Sequence, residues 1–288
     1  MNPWRNNVFI LIFYREHVKL ADGVYLIEGQ NRGRFPYCNC LLVDNLLIDS
    51  SCGKDRLEAV LDRFDELVLT HTHPDHASGA WLAEKYGKSV YTPHPATTVE
   101  ELARRFAPEV ADEWMDFARN MAGLRDFSGI LYDESHDFST KNHEVELIKT
   151  EGHTVDMHLF LIDGRILFSA DIDLTPFGPW YGNPESDPEM FKKSIEILFD
   201  YDFTVIVPSH RKPVEGRENI EALLTEFLEH FDRRDELISE LLGRGYNIDM
   251  IVEHSPVYRG KKPAWRNILD YFERNMVLKH VKKLEGKN

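Results

Sequence analysis

The chain has 288 residues, 42% hydrophobic and 29% charged. That is enough apolar material for a buried core and too much for a disordered chain. At roughly 150 residues per domain, the length predicts one large domain or two. The longest apolar run near the start is Val8–Tyr14. A membrane-spanning helix needs about 20 such residues, so an integral helical membrane protein is excluded. No small-residue cleavage site follows that run, so it reads as an extra edge strand rather than a leader, and the expected location is the cytoplasm.

Lys and Arg total 34 against 49 Asp and Glu, a formal net charge of −15. A net-acidic chain is a poor generic binder of polyanions, because phosphate backbones require Lys and Arg. The charge is uneven, however. From Arg259 to the end there are 9 basic and 3 acidic residues, so the overall acidity weakens a nucleic-acid reading without removing it. The three cysteines, Cys38, Cys40 and Cys52, are too few and odd in number for a disulfide framework, and read as small buried side chains.

Short apolar runs rich in β-branched residues predict strands at Gly23–Glu28, Cys40–Val43, Leu46–Asp49, Leu67–Thr70, Ser89–Tyr91, Val145–Thr150, His158–Ile162, Arg165–Ser169 and Thr204–Val207. Asp44-Asn45 and Asp163-Gly164 read as hairpin turns. Helical spacing appears at Arg56–Phe64, Gly79–Tyr86 and Pro188–Phe199. This mixture predicts stacked sheets covered by helices. Residues 95–127 interrupt the rhythm with an inserted helical pair, Thr97–Phe106 and Pro108–Leu124. From residue 218 the pattern is wholly helical: Ile220–Leu242, Asp249–Glu253 and Trp265–Leu284. The expected organisation is a catalytic domain over 1–217, with its insertion, and a C-terminal helical region over 218–288.

One segment dominates the chemistry: Thr70-His71-Thr72-His73-Pro74-Asp75-His76, after an apolar strand and before a helix. His71 and His73 are two apart and point the same way on extended backbone. Imidazoles and a carboxylate suit a first-row divalent metal. Three further candidates each follow a strand: His153 in Gly152-His153-Thr154, Asp171 after Leu167–Ala170, and His210 after Val205–Ser209. Together they offer enough ligands for two metals sharing one carboxylate.

Asn39–Val43 with Leu47-Ile48-Asp49, then the histidine-rich segment, then Gly152-His153-Thr154, Asp171 and His210, occur in an order that resembles the metallo-β-lactamase fold hydrolases, in particular the glyoxalase II-like branch. The resemblance covers residues 18–215. It implies an α/β (α+β) fold, a four-layer αββα sandwich, with the helical insertion and C-terminal helices added to it. It implies that His71, His73 and His153 hold one divalent ion, that Asp75, His76 and His210 hold a second, and that Asp171 bridges them. It places Asp49 behind the ligands, orienting their imidazoles. Zinc is the expected metal, with iron or manganese as alternatives. Where relatives often read GHTPGH or GHTPGS, this chain reads Gly-His-Thr-Val155-Asp156-Met157, so the turn after the histidine differs.

The implied activity is hydrolysis of a small ester, thioester or lactone by a metal-bridging hydroxide, with Asp75 as the catalytic residue that accepts a proton as well as ligating. The alternatives are a metal-dependent endoribonuclease, its basic C-terminus meeting RNA, and an iron-dependent sulfur dioxygenase. After Asp171 the chain runs through Phe177, Trp180 and Tyr181, expected to line an apolar substrate entrance, with Trp114 or Met115 from the insertion. His230, His254 and His280 have no neighbouring ligand partner in the sequence. The region holding them is expected to complete the fold or form a homodimer contact.

Overall fold

The computed structural model describes residues 17–260 and 265–286. The expected strand at Val8–Tyr14 lies outside these residues. Among the described residues, twelve strands form two sheets. The first holds β1 (His17–Ala21), β2 (Val24–Ile27), β3 (Cys40–Val43), β4 (Leu46–Ile48), β5 (Glu66–Val68), β6 (Ser89–Thr92) and β7 (Ile130–Leu131), in that spatial order. Its first four strands are an antiparallel meander, and β4 to β7 are parallel. The second holds β8 (Val145–Lys149), β9 (His158–Ile162), β10 (Ile166–Phe168), β11 (Val205–Val207) and β12 (Val214–Glu215), in the order β12-β11-β10-β9-β8. Only β10 and β11 run parallel in it.

Strand alternation distributes the apolar residues among three layers of core. Leu41, Val43 and Ile48 of the first sheet meet Phe160, Phe168 and Val207 of the second. The residues that alternate with them in the same strands, Cys40, Leu42 and Leu47, face outward to a helical layer. Leu159, Leu167 and Ile206 face outward from the second sheet to another. With strands buried on both faces, β3, β4, β9, β10 and β11 read as continuous apolar runs. The architecture is the four-layer αββα sandwich expected from the sequence. The buried cysteines are all free.

The helices are α1 (Lys54–Glu58), α2 (Pro74–Ala77), α3 (Ala80–Lys85), α4 (Val99–Phe106), α5 (Ala111–Phe117), α6 (Pro188–Glu196), α7 (Arg217–Gly243), α8 (Ile248–His254) and α9 (Arg266–Glu285). The insertion begins with a capping box: Thr98 accepts from the Glu101 amide while the Glu101 carboxylate accepts from the Thr98 amide. Its Leu102, Phe106, Trp114 and Phe117 join the core outside the first sheet. The C-terminal helices belong to both outer cores, through Ile268 and Phe272 on one side and Ile220, Phe231 and Met276 on the other. Among the described residues, no helix is long and apolar enough to cross a membrane.

Three strands lay outside the sequence expectation. β7 and β12 have two residues each, and both residues of β7 are exposed, so neither carries an alternating pattern. β1 has no fully buried residue.

Candidate metal centre

The parallel pairing of β4 with β5, and of β10 with β11, brings their C-terminal ends to common edges. β8 runs in the same sense as β10, because both are antiparallel to β9. Asp49 follows β4, the His71–His76 segment follows β5, His153 follows β8, Asp171 follows β10 and His210 follows β11. Loops at strand ends can therefore aim side chains from distant parts of the chain at one point.

They do so within hydrogen-bond distances. His71 Nε2 and His153 Nε2 each lie 2.9 Å from His73 Nδ1, and 3.3 Å from one another. Asp171 Oδ2 is 3.0 Å from His153 Nε2. The other oxygen of the same carboxylate, Oδ1, is 2.8 Å from His76 Nε2 and 3.5 Å from His210 Nε2. His210 Nε2 is in turn 3.3 Å from Asp75 Oδ2. Two donor groups thus share Asp171, one oxygen for each: His71, His73 and His153 on one side, and Asp75, His76 and His210 on the other.

The outer nitrogens of the five imidazoles are all engaged. His71 Nδ1 meets Thr70 Oγ1 at 3.0 Å, and that hydroxyl lies 3.0 Å from Asp49 Oδ2. His76 Nδ1 donates to Asp49 Oδ2 at 2.7 Å. His153 Nδ1 donates to the carbonyl of Trp180 at 2.8 Å, and His210 Nδ1 to that of Gly33 at 2.7 Å. His73 Nε2 lies 2.6 Å from the side-chain amide of Asn183. A neutral imidazole that donates through its outer nitrogen presents a lone pair at its inner one. Five lone pairs and two carboxylates then face each other. His76 Nε2 and Asp171 Oδ1 are buried 2.8 Å apart without hydrogen-bond geometry to each other or to any other atom of the described residues.

This donor set fits two divalent ions. Tetrahedral ligands held at about 2.0–2.1 Å from a zinc ion are separated by about 3.3 Å, close to the nitrogen spacings here. Burial and neighbouring imidazoles push His71 well below its ordinary value and His73 to about 3, so both stay neutral. Burial also opposes charge at His76, but Asp171 and Asp49 outweigh it and push this group well up. The local field there favours positive charge. Asp49 stands behind the site, accepting also from the Thr70 amide at 2.8 Å.

Gly152 permits His153 its place. It has φ 117°, and a Cβ there would lie 2.1 Å from the Phe191 amide nitrogen. The unusual turn that follows has a partner in the insertion. Asp156 Oδ1 is 2.6 Å from Arg105 Nη2, the same nitrogen lies 2.6 Å from Glu185 Oε1, and Arg105 Nη1 donates to Thr72 Oγ1 at 2.8 Å. The departure at Val155-Asp156 is thus an ion-pair seat for helix α4, placed between two ligand loops.

The aromatic residues after Asp171 divide. Trp180 is half-buried, with its ring 5.5 Å from that of His73 and 5.7 Å from that of His153. Tyr181 is not part of an entrance: it is fully buried, with its hydroxyl 2.7 Å from His280 Nε2 and 3.0 Å from Arg234 Nη1. Chain direction explains the error, since adjacent residues on extended backbone face opposite ways. Phe177 packs toward Tyr258, 5.8 Å away, and under the Arg234 guanidinium. Trp114 is buried behind Phe106, whose ring is 4.7 Å from His73, and Met115 is half-buried on the same core.

Asn183 and Arg105 were missed by sequence reasoning. Neither sits in a recognisable motif, and both reach the centre from segments remote in the chain. His230, His254 and His280 contribute no donor to either group.

Fold and donor set together define the class of metal-dependent hydrolases built on stacked sheets with ligands at the strand ends. The chain belongs to the metallo-β-lactamase superfamily, whose family model matches residues 33–210. It is similar to a linear primary-alkylsulfatase of a Pseudomonas species, 25% identical over an alignment 222 positions long that covers 62% of this chain and 42% of that protein. The match thus spans less than half the length of that curated relative. Among solved structures it resembles a metallo-β-lactamase family protein from Thermus thermophilus, with TM-score 0.70 and 19% identity, covering 93% of this chain and 95% of that one. It also resembles a stereoselective inverting sec-alkylsulfatase from a Pseudomonas species, with TM-score 0.56 and 15% identity, covering 93% of this chain and 50% of that one. At these identities, the structural likenesses establish the fold.

Proposed function

We propose that the protein is a dinuclear metal-dependent hydrolase of a small, largely uncharged ester, thioester or lactone with an apolar moiety. The observation that carries this reading is Asp171, which offers one carboxylate oxygen to each of two histidine groups. His71, His73 and His153 would hold one ion; Asp75, His76 and His210 the other. Bound divalent ions supply polarisation of the scissile group and a water nucleophile at neutral pH.

The protein's own groups do the rest. Asp49, Thr70, Trp180 and Gly33 fix the imidazole orientations through the bonds given above. Asp75 keeps an ionised carboxylate: burial works against this, but His210 and His76 prevail. It is the group proposed to accept the proton of the attacking water. Trp180 and Phe106, beside His73, favour an apolar acyl or aryl group, and the chain's −15 charge disfavours polyanions.

The glyoxalase II-like placement rests on motif order and wording. The alkylsulfatase relative supports a second reading, in which the ester cleaved is an alkyl sulfate. A panel of aryl esters, thioesters, lactones, alkyl sulfates and RNA, assayed on zinc-, iron- and manganese-loaded protein, separates these. Metal-dependent cleavage of the neutral esters in preference to the rest is expected. Preference for the alkyl sulfate establishes the second reading. RNA cleavage alone, or oxygen uptake with a persulfide and no hydrolysis, overturns both. Trp180→Ala should raise KM for an apolar ester with metal content intact; unchanged KM and kcat would remove the aromatic wall from the proposal.

A further inference from the structure

We propose that the C-terminal helices carry a second ligand site, for a small oxyanion, separate from the metal centre. A cavity of about 350 Å³ lies between α7 and the turn after α8, lined by His230, Arg233, Arg234, His254 and Arg259 together with Leu237 and residues 255–257. Among the described residues no carboxylate lines it, although acidic residues outnumber basic ones in the chain by 49 to 34. Three arginines and two histidines therefore line one concavity against the overall charge.

The available partners leave that charge largely unanswered. Arg234 is 5% exposed and, among the described residues, donates only to neutral oxygens: the Phe177 and Pro179 carbonyls and the Tyr181 hydroxyl. The Arg259 side chain has no hydrogen bond or ion pair among the described residues. Arg233 has one, an exposed pair with Glu229 one helical turn away, of a kind that contributes little. His230 is 5% exposed, lines the cavity, and makes no hydrogen bond among the described residues. Burial and the charges of Arg234, Arg233 and Arg259 push it down to about 4, against a smaller opposing pull from Glu226. It is a neutral donor beside fixed positive charge, which suits an oxyanion that accepts hydrogen bonds at several oxygens.

The chemistry recognised is that of phosphate or sulfate. The volume exceeds what a bare ion fills and lies at the lower end of ligand pockets, so the oxyanion is either free or the head of a small monoester. The loop from Phe177 to Tyr181 separates this cavity from the metals: Gly178 lies against the His230 ring, while Trp180 faces His73 and His153.

The test is calorimetric titration of the full-length, metal-loaded protein with inorganic phosphate and, separately, with phenyl phosphate, while His230 is followed by NMR. The comparison variant is Arg233→Ala with Arg259→Asn, the asparagine chosen because Arg259 has φ 55° and Asn tolerates that region. Circular dichroism checks that it folds. The expected result is saturable binding that shifts the His230 resonances, weakens about tenfold or more in the double variant, and persists in Asp171→Ala, where phosphate held at the metals is lost. Tighter binding of phenyl phosphate identifies a monoester head; equal binding identifies the free ion. Binding that leaves His230 unshifted, or that is unchanged in the double variant, overturns the proposal.

Discussion

His153 Nδ1 lies 2.8 Å from the main-chain carbonyl of Trp180, and this bond ties the metal-facing imidazole to the C-terminal helices. The loop supplying that carbonyl is held at Phe177 and Pro179 by Arg234 of α7. Its Trp180 indole donates to the Tyr258 hydroxyl at 2.8 Å. Further along, Asn275 and Lys279 of α9 donate to the carbonyls of Gly182 and Asn183. Among the described residues, the region after residue 217 offers no donor to either metal group, yet it fixes the segment that orients His153 and places Asn183 against His73.

Removing the shared carboxylate should have the largest effect on metal content. Native protein is expected to hold two divalent ions per chain by elemental analysis, and Asp171→Ala fewer than one, with hydrolysis lost. Asp75→Ala should lose far more activity than Asp49→Asn, because Asp49 acts through the His76 imidazole and such support is worth about 10–100-fold. Equal metal content in Asp171→Ala and native protein, or near-normal turnover by Asp75→Ala, would contradict the assignment.

Asn183 supplies a narrower test. If His73 faces a metal through Nδ1, its Nε2 carries the proton, and the Asn183 amide oxygen is the acceptor it requires. As placed, Asn183 Nδ2 is the atom 2.6 Å from His73 Nε2 and Oδ1 is buried without a partner among the described residues, so turning the amide over pairs the proton with the oxygen. Asn183→Leu, similar in size, should lower metal affinity or activity by about 10–100-fold. Asn183→Asp, which keeps an acceptor, should retain most of it. Competition titrations with a chelator would measure both, and indistinguishable affinities would show that the contact does not position His73.

Arg105 joins the insertion to the two ligand loops. Its side chain and that of Asp156 are each 7% exposed, so Arg105→Met leaves a buried carboxylate unpaired. Breaking such a pair costs about 3–5 kcal/mol. Chemical denaturation should show a loss of this order, and adding Asp156→Asn should recover part of it. A loss below about 1 kcal/mol would place the pair among surface ion pairs in energetic terms.

Acid stability should depend on Asp235. Burial raises its carboxyl, but bonds from His280 at 2.6 Å and Lys283 at 2.6 Å prevail and lower it to about 2. A depressed carboxylate contributes stability above its unfolded value near 4, and that stability is lost as pH falls toward 2. After allowance for partial solvent screening the contribution is about 1–2 kcal/mol. Asp235→Asn should lower Tm at pH 7 and flatten the decline between pH 4 and 2. Parallel melting curves for the two proteins across that range would refute the linkage.

Much of the architecture could be read from residue order. β3 and β9 have the predicted bounds, and the other seven predicted strands lie within one or two residues of theirs, because short apolar runs bounded by turn residues are local properties. The seven donors were legible for a related reason. Each ends or closely follows an apolar strand, and a residue in that position needs only the sheet topology to reach the common edge. Tyr181, Asn183, Arg105 and Asp156 were decided by tertiary structure alone. Tyr181 looked like pocket lining because it follows Asp171 closely, but a buried phenol needs a partner, and His280, 99 residues away, supplies it. Arg105 is 51 residues from Asp156 and 80 from Glu185. Local pattern carries no information about which distant charge will share a desolvated site, because that choice is made only when the insertion packs on the sandwich and each buried group must find its counterpart.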